Sequence, residues 1–181
     1  TKGTIFLNQL EYVMGKPAFD QGLLDFFNTW KFKHPNDNDL IRVMEKASGL
    51  ELDWYKDYMI YSTKSIDYGI DTVYTSGKRT VVRISRYFFM PMPVDIEITL
   101  KDGTTVDYTI PLDLMLGAKT ETSTEGLPYN VLPYWPWVNL EYSFEAEIPF
   151  DQIESLRIDP SGRLADLDPQ NNAWPEQESG Q

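Results

Sequence analysis

The chain has 181 residues, 41% of them hydrophobic and 14% aromatic, enough for one large domain or two small ones with a buried core. A formal net charge of −12 repels nucleic acid and anionic lipid, and no apolar run approaches the ~20 residues of a membrane span. Cysteine is absent and histidine occurs once, as His34, so no disulfide, cysteine zinc site, Ser-His-Asp triad or His-Glu-x-x-His helix can be recognised within this sequence.

The opening TKGTIFLNQLEYVMGKPAF reads as helix almost from its first residue, with no initiator methionine and no basic-then-apolar leader. Phe6, Leu10, Val13 and Met14 share one helical face, and Gly15 suits the position just past a helix end. Pro17 fits the first turn of a second helix, whose apolar face runs Phe19, Leu23, Phe26, Phe27, Trp30. HPNDND breaks the pattern and offers N-cap acceptors to a third helix. That helix carries Leu40, Val43, Met44 and Ala47 inward and ends at Ser48-Gly49. A fourth, from about Leu52 to Tyr61, carries Trp54, Tyr55, Tyr58 and Met59.

Beyond Thr63 the period changes to two. Val94, Ile96, Ile98 and Leu100 alternate with Asp95, Glu97, Thr99 and Lys101, which predicts a half-buried strand with the second set in solvent. TTVDYTI follows across KDG, with Val106, Tyr108 and Ile110 alternating likewise. A two-residue Asp-Gly turn would pair Leu100 with Thr105 and put Asp107 on the core face. A three-residue loop, Lys101-Asp102-Gly103, pairs Leu100 with Thr104 and keeps Val106 and Tyr108 inward. Gly103 is therefore predicted in the left-handed region, forming a bulge. Further strands are predicted near 66–74, 79–88, 141–148 and 155–159. Strands in succession with short turns predict an antiparallel β-sandwich, so the fold class is α+β: about four helices, then an immunoglobulin-like sandwich. The expected boundaries are 1–64 for the helices, 65–168 for the sandwich and 169–181 for a flexible tail rich in Asp, Asn, Pro and Gln.

Candidate chemistry is sparse. His34 follows a helix and precedes Pro35, the setting of a surface or helix-end residue. Asp37/Asp39, Asp95/Glu97 and Glu145/Glu147 are paired acids, but among 28 acidic residues such pairs arise by chance. The last two pairs also fall on predicted solvent faces of strands. TSGKRT has Thr72 where a phosphate loop needs its first glycine and Arg79 where it needs Ser or Thr, so it reads as a turn. Asp166, Asp168 and Asn171, near Asp159, offer oxygen ligands to Ca²⁺. No glycine turn or bidentate Glu completes such a loop, and turn-forming Asp and Asn account for the cluster equally well. YFFMPMP (87–93) and LPYWPWVNLEY (132–142) combine rigid Pro with flat aromatics. Tyr134, Trp135 and Trp137 suit sugar or protein binding, although packing in the core or against a neighbouring domain is the preferred reading.

Thr1-Lys2-Gly3 ahead of an apolar helix, then Gly15 and Phe19, resembles the x-Lys-Gly…Gly-x-x-x-Phe stretch of bacterial aminopeptidase N-type zinc aminopeptidases (gluzincin alanyl aminopeptidases). Asp39-Leu40, Glu45, Ser48-Gly49 and Leu52 match, in spacing, that family's Asp-Phe-x-x-x-x-Glu-x-x-Ser-Gly-x-x-Leu. Together these stretches cover residues 1 to about 62. MPMPVDIEITLKDG and RIDPSGRLADLDPQNN also look like the sandwich of bacterial relatives, whereas STKSIDYGI lacks the Gly-x-Pro common at the junction. The resemblance implies that the helices finish a thermolysin-like catalytic domain and that the sandwich follows it. The family's catalytic tyrosine would precede Thr1. Its zinc helix and glutamate-bearing recognition loop would lie further upstream, and zinc would belong to the parent enzyme.

The chain is accordingly read as a C-terminal fragment of such an enzyme, structural and bracing in role and not catalytic alone. No catalytic residue, metal ligand or cofactor is assigned to it. Its expected partners are the upstream catalytic domain and, for the parent, peptide substrates. An apolar patch on the first two helices, left by the missing half, would permit self-association. A periplasmic or secreted parent is compatible with the sequence, which does not fix the compartment. Two alternatives stand beside this reading. One is a stand-alone sandwich that binds glycan or protein through the Pro/Trp-rich loop. The other is a carboxylate hydrolase, which needs two facing acids in a cleft.

Overall fold

The structure, a computed structural model, describes residues 2–121 and 127–175. Helix α1 (Lys2–Met14) stops at Gly15, whose φ is 82° and whose N–H donates to Glu11 O at 2.8 Å. Helix α2 (Lys16–Trp30) starts at once, with Pro17 in its first turn. Helix α3 (Asp37–Ser48) opens on a reciprocal cap: Asn36 Oδ1 accepts from Asp39 N at 3.1 Å, and Asp39 Oδ2 accepts from Asn36 N at 3.0 Å. Helix α4 (Asp53–Tyr61) completes the helical part.

Two helical faces depart from their periodicity. On α2 only Phe19 and Gly22 are buried, while Leu23, Leu24 and Phe27 stand 36%, 58% and 65% exposed. The cause is the contact with α3, which is so close at Gly22 that a Cβ there would lie 2.4 Å from Met44 Sδ. On α3 the buried residues are Ile41 and Met44, with Leu40 and Val43 only half-buried. Ile5 and Leu7 of α1 are exposed as well, so both of the first two helices carry uncovered apolar surface.

Two sheets follow. One has the order β1 (Tyr68–Ser76), β2 (Arg79–Arg86), β6 (Glu141–Ala146). The other has the order β5 (Asn130–Val131), β4 (Thr105–Ile110), β3 (Val94–Leu100), β7 (Ile153–Ile158), β8 (Ala173–Trp174). The expectation of an antiparallel arrangement is met except at β4 and β5, which run parallel for a short stretch. Gly77-Lys78 form the two-residue turn between β1 and β2, since Ser76 lies opposite Arg79. Inner-face side chains such as Val82, Ile84 and Phe144 meet Ile96, Ile98 and Tyr108, and the Tyr108 and Phe144 rings lie 5.3 Å apart.

The β3–β4 hairpin takes the three-residue loop. Thr99 lies opposite Thr105, Leu100 N donates to Thr104 O at 2.8 Å, and Gly103 has φ 85°. Asp102 Oδ1 accepts from both Thr104 N and Thr104 Oγ1, at 2.9 and 2.7 Å. Nothing stands within 4 Å of a Cβ on Gly103, so Gly103→Ala would meet backbone strain alone. We expect it to lower unfolding free energy by about 1 kcal/mol in urea titration, without altering the native circular dichroism.

Asp95 corrects the view of β3 as half-buried. It is 1% exposed, and Asp107 and Thr109 on the same outer face are buried too. Helix α1 lies over that face, where Tyr12 Oη accepts from Asp95 N at 3.0 Å. Buried apolar side chains consequently form one cluster, running from Leu10, Met14 and Tyr55 in the helices to Met92, Ile96 and Leu156 in the sandwich. The chain end also differs from its composition. Residues 171–174 belong to the stretch expected to be a flexible tail, yet Trp174 pairs with Leu156, its ring lies 5.6 Å from Phe150, and Asn172 O accepts from Ile158 N at 2.8 Å. Backbone pairing to β7 and one aromatic contact outweigh the polar composition. Residues 176–181 lie outside the described residues.

Candidate functional site

A group of charged side chains is buried where α1 meets the outer face of the five-stranded sheet. Strand alternation turns Asp95 of β3 away from the sandwich interior and toward the helices. A 3₁₀ turn at Asp113–Met115 leads into the loop that carries Lys119 and Glu121, and the loop after β7 carries Arg163. Lys119 Nζ lies 2.5 Å from Asp95 Oδ2 and 3.2 Å from Glu121 Oε2, and it donates to Tyr12 O at 3.2 Å. Arg163 donates to Glu121 through both Nη atoms, at 3.2 and 2.9 Å, and reaches Glu11 at 3.3 Å. The Tyr12 ring receives both cations, with Lys119 Nζ at 4.5 Å and the Arg163 guanidinium at 5.4 Å. Gln9 Nε2 donates to Arg163 O and ties the same helix to the same loop.

The Lys119 and Asp95 side chains are only 2% and 1% exposed, so their charges interact with little screening by water. Burial raises the Asp95 carboxyl above its ordinary value, and the Lys119 charge offsets only part of that. Burial also pushes the Tyr12 phenol well up, with Asp95 adding to it, so Tyr12 stays a neutral phenol. Burial acts upward on Glu121 too, yet the hydrogen bond and charge of Arg163, with Lys119, outweigh it and hold Glu121 low. A lowered folded value means that this pairing stabilises the fold above the ordinary Glu value of 4.5. The contribution is lost as pH falls through the folded value. Chemically the group is a clamp: two cations face three anions, and together they bind α1 to the sheet.

The residues singled out by sequence fall in different places. Trp135 is 1% exposed, donates from Nε1 to Asn139 O at 3.0 Å, and packs against Tyr68 and Tyr142 at 5.5 and 5.3 Å. It is a core residue and offers no surface to a ligand. Tyr134 and Trp137 stand 50% and 40% exposed. His34 is exposed in the turn between α2 and α3. Asp37 accepts from Tyr61 Oη at 2.5 Å, and Asp39 completes the α3 cap. Glu145 and Glu147 face solvent, each paired with Arg79, at 3.0 and 2.7 Å. The suggested calcium ligands serve backbone groups: Asp166 accepts from Tyr68 N and Asp168 N, Asp168 accepts from Gln170 N, and Asp159 accepts from Leu164 N. Asn171 Nδ2 donates to Asp67 Oδ1 at 3.1 Å.

The spaced residues of α3 and α4 have a local explanation. Glu45 Oε1 accepts from Leu52 N at 3.0 Å, so the end of α3 caps the start of α4. Ser48 Oγ donates to Met44 O at 2.9 Å and accepts from Leu50 N at 3.2 Å. Gly49 then takes φ 72°, where a side chain would be strained, and Leu52 is fully buried. Each position answers a need of one tight helix–turn–helix. Glu45, Glu51 and Asp53 also bring carboxylate oxygens within 4.8 Å of one another, the one such acidic group among the described residues. Glu45 and Glu51 already accept from the N–H groups of Leu52 and Asp53.

Sequence reading missed Asp95, Lys119, Glu121, Tyr12 and Arg163 as a set. A signal existed for one of them: Met90 to Ile96 are all buried, an apolar run on both parities around Asp95, and a strand covered on both faces leaves no water for an acid.

Fold and junction together define a class: a short helical segment held by buried ion pairs and a shared core against a two-sheet sandwich. In fold the chain is similar to part of Legionella pneumophila aminopeptidase A, solved in complex with aspartic acid, with a TM-score of 0.53 and 13% identity over 87% of this chain. It spans 16% of the length of that protein, and at this identity the likeness is one of fold. No family model matches the chain, and no curated protein matches it.

Proposed function

We propose that the chain is the rear portion of an aminopeptidase N-type zinc aminopeptidase, in which residues 1–64 finish the catalytic domain and the sandwich from residue 65 braces it. The observation that carries the reading is a fold likeness covering 87% of the chain but only 16% of an aminopeptidase, beside spaced motifs that resemble the same kind of enzyme. The described residues do not suit zinc, because the single histidine is exposed in a turn and the one acidic group is occupied by backbone donors. On this reading metal and hydrolysis belong to polypeptide upstream. The chain's own work is mechanical. Tyr12, Lys119 and Arg163 hold α1 rigidly, and the first turn of α1 would follow directly on the catalytic tyrosine. The exposed Ile5, Leu23, Leu24 and Phe27 would meet the upstream domain.

The purified chain alone is expected neither to bind Zn²⁺ tightly nor to release amino acids from aminoacyl substrates. The same chain continuous with its upstream reading frame should do both. Zinc-dependent hydrolysis by the chain alone overturns the reading, as does an upstream frame lacking a Tyr two residues before Lys2. The half-exposed Tyr134 and Trp137 favour glycan or protein binding as a second reading, tested by glycan-array binding that Tyr134→Ala and Trp137→Ala abolish.

A further inference from the structure

The end of α4 and the linker to β1 pass the start of α1 and the loop after β7 around a surface cavity of about 320 Å³. Its floor is apolar: Met59, Ile66 and Met90 are 9%, 3% and 1% exposed. Leu167 forms one wall, and Lys2 and Lys64 stand at the rim. Lys64 Nζ sits 4.7 Å over the ring of Tyr58, which also lines the cavity, so the ring holds this ammonium beside it. Among the described residues neither Lys2 nor Lys64 forms an ion pair, and no carboxylate lines the cavity. Three other surface pockets each carry acids: Asp20 with Glu121, Asp102 with Asp151, and Asp25. In a chain of net charge −12, a cavity with two ammonium groups and no acid is sorted by charge.

We propose that this cavity binds a small organic anion, a carboxylate on an aliphatic chain, with its head at Lys2 and Lys64 and its tail on Met59, Ile66 and Met90. The size lies at the small end of ligand sites and suits roughly ten non-hydrogen atoms. Two thioethers let the floor adjust to a flexible tail. Opposite charge at the mouth selects the head, and the buried floor favours the chain over a bare carboxylate. An affinity in roughly the millimolar range fits a ligand of this size. The proposal concerns this chain by itself; under the peptidase reading the α1 side of the cavity, Lys2 and Ile5, would adjoin the upstream domain.

The test is a titration of the full chain, carrying ¹³C-methyl methionine, with octanoate, octylammonium and acetate. Octanoate is expected to shift the Met59 and Met90 methyl signals saturably. Acetate should leave them in place, and octylammonium should bind at least about tenfold more weakly. The double substitution Lys2→Gln, Lys64→Gln should weaken octanoate about fivefold or more, the loss expected for two exposed ion pairs, with an unchanged melting temperature. Equal binding of octylammonium, an undiminished affinity in the double variant, or shifts confined to other methionines would overturn the proposal.

Discussion

Lys119→Met is expected to lower unfolding free energy by about 3–5 kcal/mol, the cost of leaving a buried charge without its partner. Asp95 is 1% exposed, and its Oδ2 lies 2.5 Å from the ammonium that the substitution removes. Methionine fills much of the same space, so the effect isolates charge from packing. Without Lys119 the Asp95 carboxyl, already raised by burial, rises further. Between the ordinary value of 3.8 and that raised value, the folded form holds a proton that the unfolded form has released. Stability of the variant therefore falls as pH rises through this window, and because the parent's own Asp95 is raised as well, the deficit against the parent grows only once pH passes the parent's folded value. Asp95→Leu combined with Lys119→Met should recover much of the loss, because an apolar pair leaves nothing to solvate. Urea titrations of both variants at several pH values measure all three expectations. A deficit under about 1 kcal/mol at neutral pH would mean that the pair is not part of the stabilising framework.

Trp135→Ala should cost about 3–5 kcal/mol, in the range of buried aromatic truncations. The indole fills the space between Tyr68 and Tyr142, and Tyr68 in turn fixes the β2–β3 connection by donating to Met92 O at 3.0 Å and accepting from Met92 N at 2.7 Å. Tyr134→Ala and Trp137→Ala, at half-exposed positions, should stay within about 0.5 kcal/mol of the parent. This contrast bears on any binding assay. Loss of ligand binding in Trp135→Ala would report a damaged core, and only Tyr134 and Trp137 interrogate the surface of that loop. Thermal melts of the three single variants separate the cases.

Features set by neighbours in sequence were legible. Parity fixed the β3–β4 loop, because only the three-residue turn keeps Val106 and Tyr108 inward, and Gly103 then had to take positive φ. The α3 cap and its glycine stop followed from side chains a few residues apart. The face of α2 was not legible, since a glycine sets its contact with α3 and hydrophobicity says nothing of that. Strands β5 and β8 are too short to show a period. The buried clamp joins Glu11, Asp95, Lys119 and Arg163 from four separate segments, and no local rule links α1 to a loop beyond β7. The half-buried period of β3 was right for the sandwich side and wrong for the side that α1 covers.

The order of the three-stranded sheet bears on how the chain is made. β2 pairs with β1 across a two-residue turn, but its other edge is covered by β6, which begins only at Glu141. A nascent chain leaving the ribosome therefore carries β2 with one flank of N–H and C=O groups open until Glu141–Ala146 have emerged. Arg79 and Arg83 project into solvent along that strand, and like charge would keep neighbouring unfinished chains from pairing there in the interval.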